Sequence, residues 1–556
     1  MFEKNKDLNE KIYSGVKMDS LTLAIILGLW GFITGLDAYS TKSLLGLIPL
    51  LAGFVTGLIL GNIIVGAYVG AFTQLLSLGL IPIGGAVPPD FAIIAVLATA
   101  LIITGNLDIT MAAVVVAALI PAGIFSMYLD ILARTVNVSI IRKAEALISK
   151  GEVDSAMKWH FAGLLSLAGF RGLAYFISAL IALTWGVKAL QAFLRSMPIW
   201  VLRGLSVAGA ILPALGLGIL ISFLGVERRY LSLLIPFFIV ALISFGYTFG
   251  FVLIVAGIVA WIKIRRATKG TQPTTTEKFA GKFDKALLRS VSIRSGFLLE
   301  CSWNYERMQA LGYLFSIMPI LKRIYKDKEE LKRAALFHLE FFNTNPFLAP
   351  IILGIDTATE ETRPGDFELI RSIKTGLMGT FAGLGDSLIY LVIGGILLIL
   401  GSTLSLMAPV NPMLAWTPLL VIIIFDAIFI PFRIIGTPLG YRKGLKIVES
   451  FSGERIKILR EIFEWLAVVS IGSILPIVIT VRILPLVAFL QPIDLMLQII
   501  SLNQLLGSIV GLLLTFFAFY LRRKGYGPIK IFAILFSLGF LLGAVGILSV
   551  VAETMA

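Results

Sequence analysis

GLMGTFAGLGDSLIYLVIGGILLIL, residues 376–400, holds twenty-five residues and one charged side chain, Asp386. About 20 consecutive apolar residues let a helix cross the hydrocarbon core of a bilayer, so this stretch reads as a membrane span. Comparable runs lie at residues 21–36, 414–435, 466–481, 503–521 and 529–551. The composition agrees: 58% of the 556 residues are hydrophobic and 14% charged, with a mean hydropathy of +0.95. A soluble domain carries about 25% charged residues, so a soluble enzyme, a secreted disulfide scaffold and a disordered chain are all excluded. The fold class is an all-α polytopic membrane protein, with Gly-rich segments expected to be re-entrant or broken helices.

Lys and Arg outnumber Asp and Glu by 47 to 33, a net charge of +14. In a membrane protein that excess belongs in cytoplasmic loops, where it sets orientation, and it does not indicate nucleic-acid binding. Cys301 is the single cysteine, which leaves no internal disulfide and no thiolate metal cluster. His160 and His338 match no metal-ligand spacing, so neither a metal nor a cofactor is expected. The N-terminus, MFEKNKDLNEKIYSG, lacks cleavable-signal architecture, and the run at 21–36 is expected to be a retained first helix.

Two apolar blocks flank a polar middle. The first, residues 1–262, should hold seven or eight hydrophobic segments separated by Gly/Pro turns and by one long polar loop at 134–158. Basic residues Lys263, Arg265, Arg266 and Lys269 follow, then a Thr/Gln/Pro tract, so 263–276 is expected to be a cytoplasmic linker. The second block, 277–556, begins with amphipathic, charged helices over 277–371 and returns to membrane helices over 372–556. Arg522, Arg523 and Lys524 between its last two spans suggest a cytoplasmic hairpin.

Polar side chains at membrane depth are costly and are functional candidates for that reason. Asp37, in GFITGLDAYSTKS, can cap a following helix or serve as a ligand. Gln74, in an apolar stretch broken by Gly66, Gly70 and Gly79, offers a donor and an acceptor that suit a hydroxyl-bearing ligand, or glue between helices. Asn62, in ILGNIIVG, invites the same argument in weaker form. Block two adds four constellations. SWNYERMQALG (302–312) carries Asn304 and Glu306, and HLEFFNTNPFLAP (338–350) carries Asn343 and Asn345. Asp386 follows the glycines of the opening stretch, and YRKG (441–444) ends another span. Aromatic rings beside amides and carboxylates suit a carbohydrate: a ring face stacks while hydroxyls are hydrogen-bonded. The alternatives are a helix-ending turn for NTNP and an amphipathic interfacial helix for WNYERM.

These motifs resemble the IID subunit of the mannose/fructose/sorbose family of the sugar phosphotransferase system. The match runs from about residue 276 through WNYERMQALG, HLEFFNTNPF, ILGI with the acidic pair Glu360 and Glu361, GLMG..AG.GDS and PLGYRKG. Block one resembles the IIC subunit through G..LD at Asp37, TQLLSLG at Gln74 and IGGAVPPD at 83–90. The chain is thus similar to a IIC–IID fusion. The resemblance implies a membrane component that binds a hexose or hexosamine between the two parts and carries it by an elevator-like movement. A separate phosphorylated IIB protein, supplied by IIA, would phosphorylate the sugar, and this chain would hold no phosphoryl group. A trimer of heterodimers in the family becomes a homotrimer here, in the plasma (inner) membrane of a prokaryote. The substrate contacts implied are Asp37, Asn62, Thr73, Gln74, Asn304, Glu306, Asn343, Asn345 and Asp386, which would bind hydroxyls and do no chemistry. His338 is expected to fix a local turn. Thr380 and Phe381 replace the family's usual Pro–Leu in GLMGPLAG, so the identity of the sugar stays open. The competing function is an ion-coupled secondary transporter built on Asp37 and Asp386, which leaves the large polar middle unexplained.

Overall fold

The computed structural model describes residues 18–42, 48–78, 87–224, 226–242, 248–268, 281–444, 454–479, 481–483 and 502–550. Block one opens with α1 (Ser20–Tyr39), the short pair α2 (Pro49–Ile59) and α3 (Ile63–Ser77), then α4 (Phe91–Thr104) and α5 (Ala112–Ala118). A long hairpin follows, α6 (Ile120–Ser149) and α7 (Val153–Ile181), then α8 (Val187–Ser196), α9 (Ile199–Ile211) and α10 (Pro213–Phe223). The block closes with α11 (Tyr230–Leu242) and α12 (Thr248–Thr268). Block two begins with α13 (Lys285–Phe297), α14 (Ala310–Ile324), α15 (Lys328–His338) and α16 (Ala349–Thr362). Its apolar part holds α17 (Phe367–Gly385), α18 (Gly395–Leu406), α19 (Thr417–Lys443), α20 (Glu454–Val478), α21 (Leu502–Arg523) and α22 (Pro528–Ala544). Two three-residue strands, β1 (Val481–Ile483) and β2 (Leu548–Val550), pair antiparallel with Val481 opposite Val550. Among the described residues, seven helical stretches are long and apolar enough to cross a membrane.

Small residues set the closest packing, as they do where helices meet without a hydrophobic difference from their surroundings. In α1, Gly28, Gly31 and Gly35 form one face, and a Cβ on them would come within 2.8, 2.5 and 2.7 Å of Phe176, Tyr175 and Ala168 of α7. Gly53 and Gly57 of α2 meet Gly66 and Gly70 of α3 backbone to backbone, with an added Cβ at Gly66 only 2.5 Å from the Gly53 carbonyl. Gly66 and Gly70 do not break the stretch that carries Gln74, since both lie within the continuous helix α3; Gly79 and residues 81–86 of the Gly/Pro turn lie outside the described residues.

The two blocks share one interior. The largest buried apolar cluster joins Leu23, Leu75 and Ile94 of block one to Ile399, Ile471 and Leu535 of block two. A second joins Leu50, Ala71 and Ile141 to Leu311, Phe347 and Phe425.

Two expectations are corrected here, and a third, the linker at 263–276, is described only in part. Residues 134–158 form no long loop: α6 and α7 run through them, turning at Gly151 with φ +81°. Asn137, Ile140, Ile141, Ala144 and Ile148 are buried at helical spacing, so the charges between them are the outer face of a helix. α12 extends to Thr268 and takes up residues 263–268 of the expected linker, whose remainder lies outside the described residues. The span at 376–400 starts earlier, since α17, a π-helical segment (Asp386–Gly394) and α18 form one helical stretch over Phe367–Leu406.

Candidate functional site between the two blocks

The site begins where α1 stops. The Asp37 carbonyl accepts hydrogen bonds from Ser40 N at 3.2 Å and Lys42 N at 2.8 Å, and Lys42 takes φ +49°, which ends the helix. Asp37 therefore lies inside the last turn of α1, with Thr41 Oγ1 donating to its carboxylate. It caps no following helix: α2 starts after Ile48, which makes no side-chain cap bond. The turn points Lys42 into block two, where it pairs with Glu300. Burial alone would lower the Lys42 pKa, but the Glu300 carboxylate beside it outweighs that and raises it above the ordinary lysine value. Arg433, buried in α19, donates to the carbonyls of Thr41 and Lys42 and lies over the Phe347 ring at 3.9 Å. It neutralises the negative end of α1 from within the apolar interior.

Around Glu300, three motifs of block two are tied together. WNYERM forms no helix; Asn304 accepts from Glu306 N and Arg307 N, closing a tight turn in which Met308 takes φ +53°. Gln309 then reaches two ways, donating to Glu300 Oε1 and to the Thr344 carbonyl, both at 2.8 Å, while its Oε1 accepts from Thr344 N at 2.9 Å. NTNP is the turn after α15, and Asn345 Nδ2 donates to Asp386 Oδ1 at 2.8 Å. A Cβ on Gly385 would fall 2.3 Å from the Asn345 side chain, so the glycine lets that amide approach. Asp386 opens the π-helical segment, a helix irregularity frequent at functional sites.

Asp37, Asn345 and Asp386 are thus brought to one polar region, together with Lys42, Glu300 and Arg433, which the sequence reading had not singled out. Asn343, two residues before Asn345, is half-buried and makes no hydrogen bond among the described residues. Gln74 lies against the start of α2, its Oε1 3.5 Å from Leu50 N. Thr73 is buried and bonds back to the Val69 carbonyl at 2.8 Å. The remaining candidates are engaged elsewhere, two by their own turns and one across the blocks. Asn62 caps α3 through Val65 N at 3.1 Å, Asn304 holds its own turn, and Glu306 pairs with Arg142 of α6 at 2.9 Å.

Several other buried titratable groups have structural partners. Arg171 of α7 binds Asp90, Tyr175 and Thr34, while Asp90 also caps α4. Glu360 accepts from Tyr325 at 2.6 Å and lies 2.8 Å from His338 Nε2. His338 thereby ties α15 to α16, a longer reach than the local turn expected of it. Glu361 accepts from Lys282 N and Tyr441, so Glu361 and the Tyr441 of YRKG anchor the start of block two. No group of His, Cys, Asp and Glu among the described residues could hold a metal ion. The arrangement offers a carboxylate–amide pair and an ammonium–carboxylate pair, groups that bind hydroxyls.

Residues 282–548 match the PTS system mannose/fructose/sorbose family IID component, and residues 21–262 match the PTS system sorbose-specific IIC component. The mannose-specific EIID component of Escherichia coli (strain K12) is 35% identical over 296 residues, covering 50% of this chain and 98% of the relative. The fructose permease IID component of Bacillus subtilis (strain 168) is 32% identical, covering 47% of this chain and 95% of the relative. The fructose permease IIC component of the same organism is 30% identical over 228 residues, covering 41% of this chain and 78% of the relative. The chain belongs to the mannose/fructose/sorbose family of the sugar phosphotransferase system, and it joins a IIC and a IID component in one polypeptide. It is a multi-pass membrane permease component of that system.

Proposed function

We propose that the chain binds a hexose or hexosamine among Asp37, Asn345, Asp386 and the Lys42–Glu300 pair, and moves it across the plasma membrane of a prokaryote. A separate IIB phosphoprotein, charged by IIA, then phosphorylates the sugar. The observation that carries this reading is that a block-one lysine and block-two carboxylates and amides meet within a largely apolar helical body. Such groups are retained at that depth for a polar cargo. Residues 1–262 act as the IIC part, 263–276 as the joint and 277–556 as the IID part, with movement of one body against the other as the elevator step. α2 and α3, at 11 and 15 residues, are shorter than the roughly 20 needed to span, which supports a re-entrant hairpin lined by Thr73 and Gln74. The working form is a homotrimer. An ion-coupled mechanism is not favoured by the family.

Binding calorimetry on the purified full chain tests the site. Asn345→Ala and Gln74→Ala should each weaken sugar binding about tenfold, the effect of one lost hydrogen bond in a buried site, with the oligomer unchanged. Native affinity in both variants would show that these are packing residues.

A further inference from the structure

A groove of about 790 Å³ opens between α13 and the end of α19. Lys285, Arg289, Arg294 and Arg442 line it, and no carboxylate does among the described residues. Arg294 is engaged, donating to the Phe315 carbonyl at 3.2 Å over the Phe315 ring. Lys285, Arg289 and Arg442 make no ion pair among the described residues. Between the cations the walls are apolar, formed by Ile293, Ile435 and Pro438.

The groove continues an exposed stripe of α19. Leu420, Ile424, Ile428 and Ile435 all face outward, at 52, 38, 49 and 52% exposure, on a helix apolar enough to cross a membrane. Steps of four and seven residues put them on one side, and that side ends at Arg442. A water-soluble protein partner has no use for an apolar stripe one span long, whereas an acyl chain does. The cations sit at the end of the stripe, where a phosphodiester headgroup belongs. Basic pockets between membrane helices on the cytoplasmic side bind anionic headgroups, and block two starts beside a basic segment that reads as cytoplasmic.

We propose that this groove is a binding site for one anionic phospholipid, its phosphate held by Lys285, Arg289 and Arg442 and an acyl chain laid along the outer face of α19. None of the residues lining the groove belongs to the proposed sugar site, and the proposal is independent of the sugar-binding reading.

Native mass spectrometry of the purified full chain, titrated with phosphatidylglycerol or phosphatidylcholine of identical chains, tests it. The native chain should retain phosphatidylglycerol in preference to phosphatidylcholine by about tenfold or more, as expected when two or three basic groups each favour an anionic headgroup. Arg289→Gln with Arg442→Gln should abolish the preference, and Arg289→Lys with Arg442→Lys should keep it, which separates lost charge from misfolding. Water-soluble glycerophosphoglycerol should not compete at matched concentration, because it lacks the chain. Equal retention of the two lipids by the native chain would overturn the proposal, as would effective competition by the soluble headgroup. So would loss of self-association or of IIB binding in the Gln variant with the lipid preference intact, since the groove would then be a protein surface.

Discussion

Lys42 and Glu300 come from opposite blocks, and their side chains keep only 14 and 10% of their exposure. Removing one partner strands the other charge, so Lys42→Ala or Glu300→Ala should each cost about 3 kcal/mol, the low end for a buried pair. The double variant should cost less than the two single ones added, and a denaturant unfolding cycle in detergent measures the difference. His338 allows a second test at this scale. Its burial holds the imidazole below its ordinary value of 6.5, with Glu360 opposing that only in part. The unfolded chain takes up the proton first, so the stability tied to His338 is full above about pH 6.5 and falls as the pH drops below it. The unfolding midpoint of the native chain should therefore decline more steeply from pH 7.5 to 5.5 than that of His338→Gln. Asp37, Asn345 and Asp386 were legible because each is a polar residue in or beside an apolar or glycine-rich motif. Arg433 was legible by the same rule, as a guanidinium inside the run at 414–435, and was overlooked only because no motif surrounds it. Lys42 and Glu300 carried no such signal. Their importance comes from a helix end and a turn that place them opposite each other across 258 positions of chain.

At the scale of elements, spacing decided what was readable. The apolar runs at 21–36 and 503–521 match their helices within a few residues, whereas those at 376–400, 414–435 and 466–481 belong to longer helices whose polar ends the composition hides. The α6–α7 hairpin was misread because charge density stood in for a loop, while the buried positions kept a helical period beneath it. WNYERM likewise has polar and apolar residues suited to an amphipathic helix, yet the Asn304 side chain takes the backbone amides of a turn instead. The glycine pairs of α2 and α3 make a firm prediction. At Gly66 a methyl group would press on the Gly53 carbonyl and the Gly57 backbone, so the helices must separate. Gly66→Ala should destabilise the protein by about 1–3 kcal/mol, the usual cost of overpacking, whereas Gly257→Ala, in open space, should be close to neutral. Thermal unfolding of the two variants side by side checks it.

The whole molecule is two family components folded around a common interior. The hydrophobic composition identified a membrane protein but concealed that its first hundred residues of block two are a motif-rich polar region. The motifs converge on the proposed site only because Gln309 bonds to Thr344, Asn345 bonds to Asp386, and the end of α1 faces them. Which surface meets the phosphocarrier, and which sugar fits, depend on geometry that residue order does not encode. The central claim is vectorial transport coupled to phosphorylation by a separate IIB protein. It is tested by placing the purified chain in sealed vesicles with phosphorylated IIB inside and labelled hexose outside. Labelled sugar phosphate should accumulate in the lumen, and its appearance should stop when IIB is omitted or left unphosphorylated. Accumulation of free sugar driven by an ion gradient, without IIB, would contradict the account.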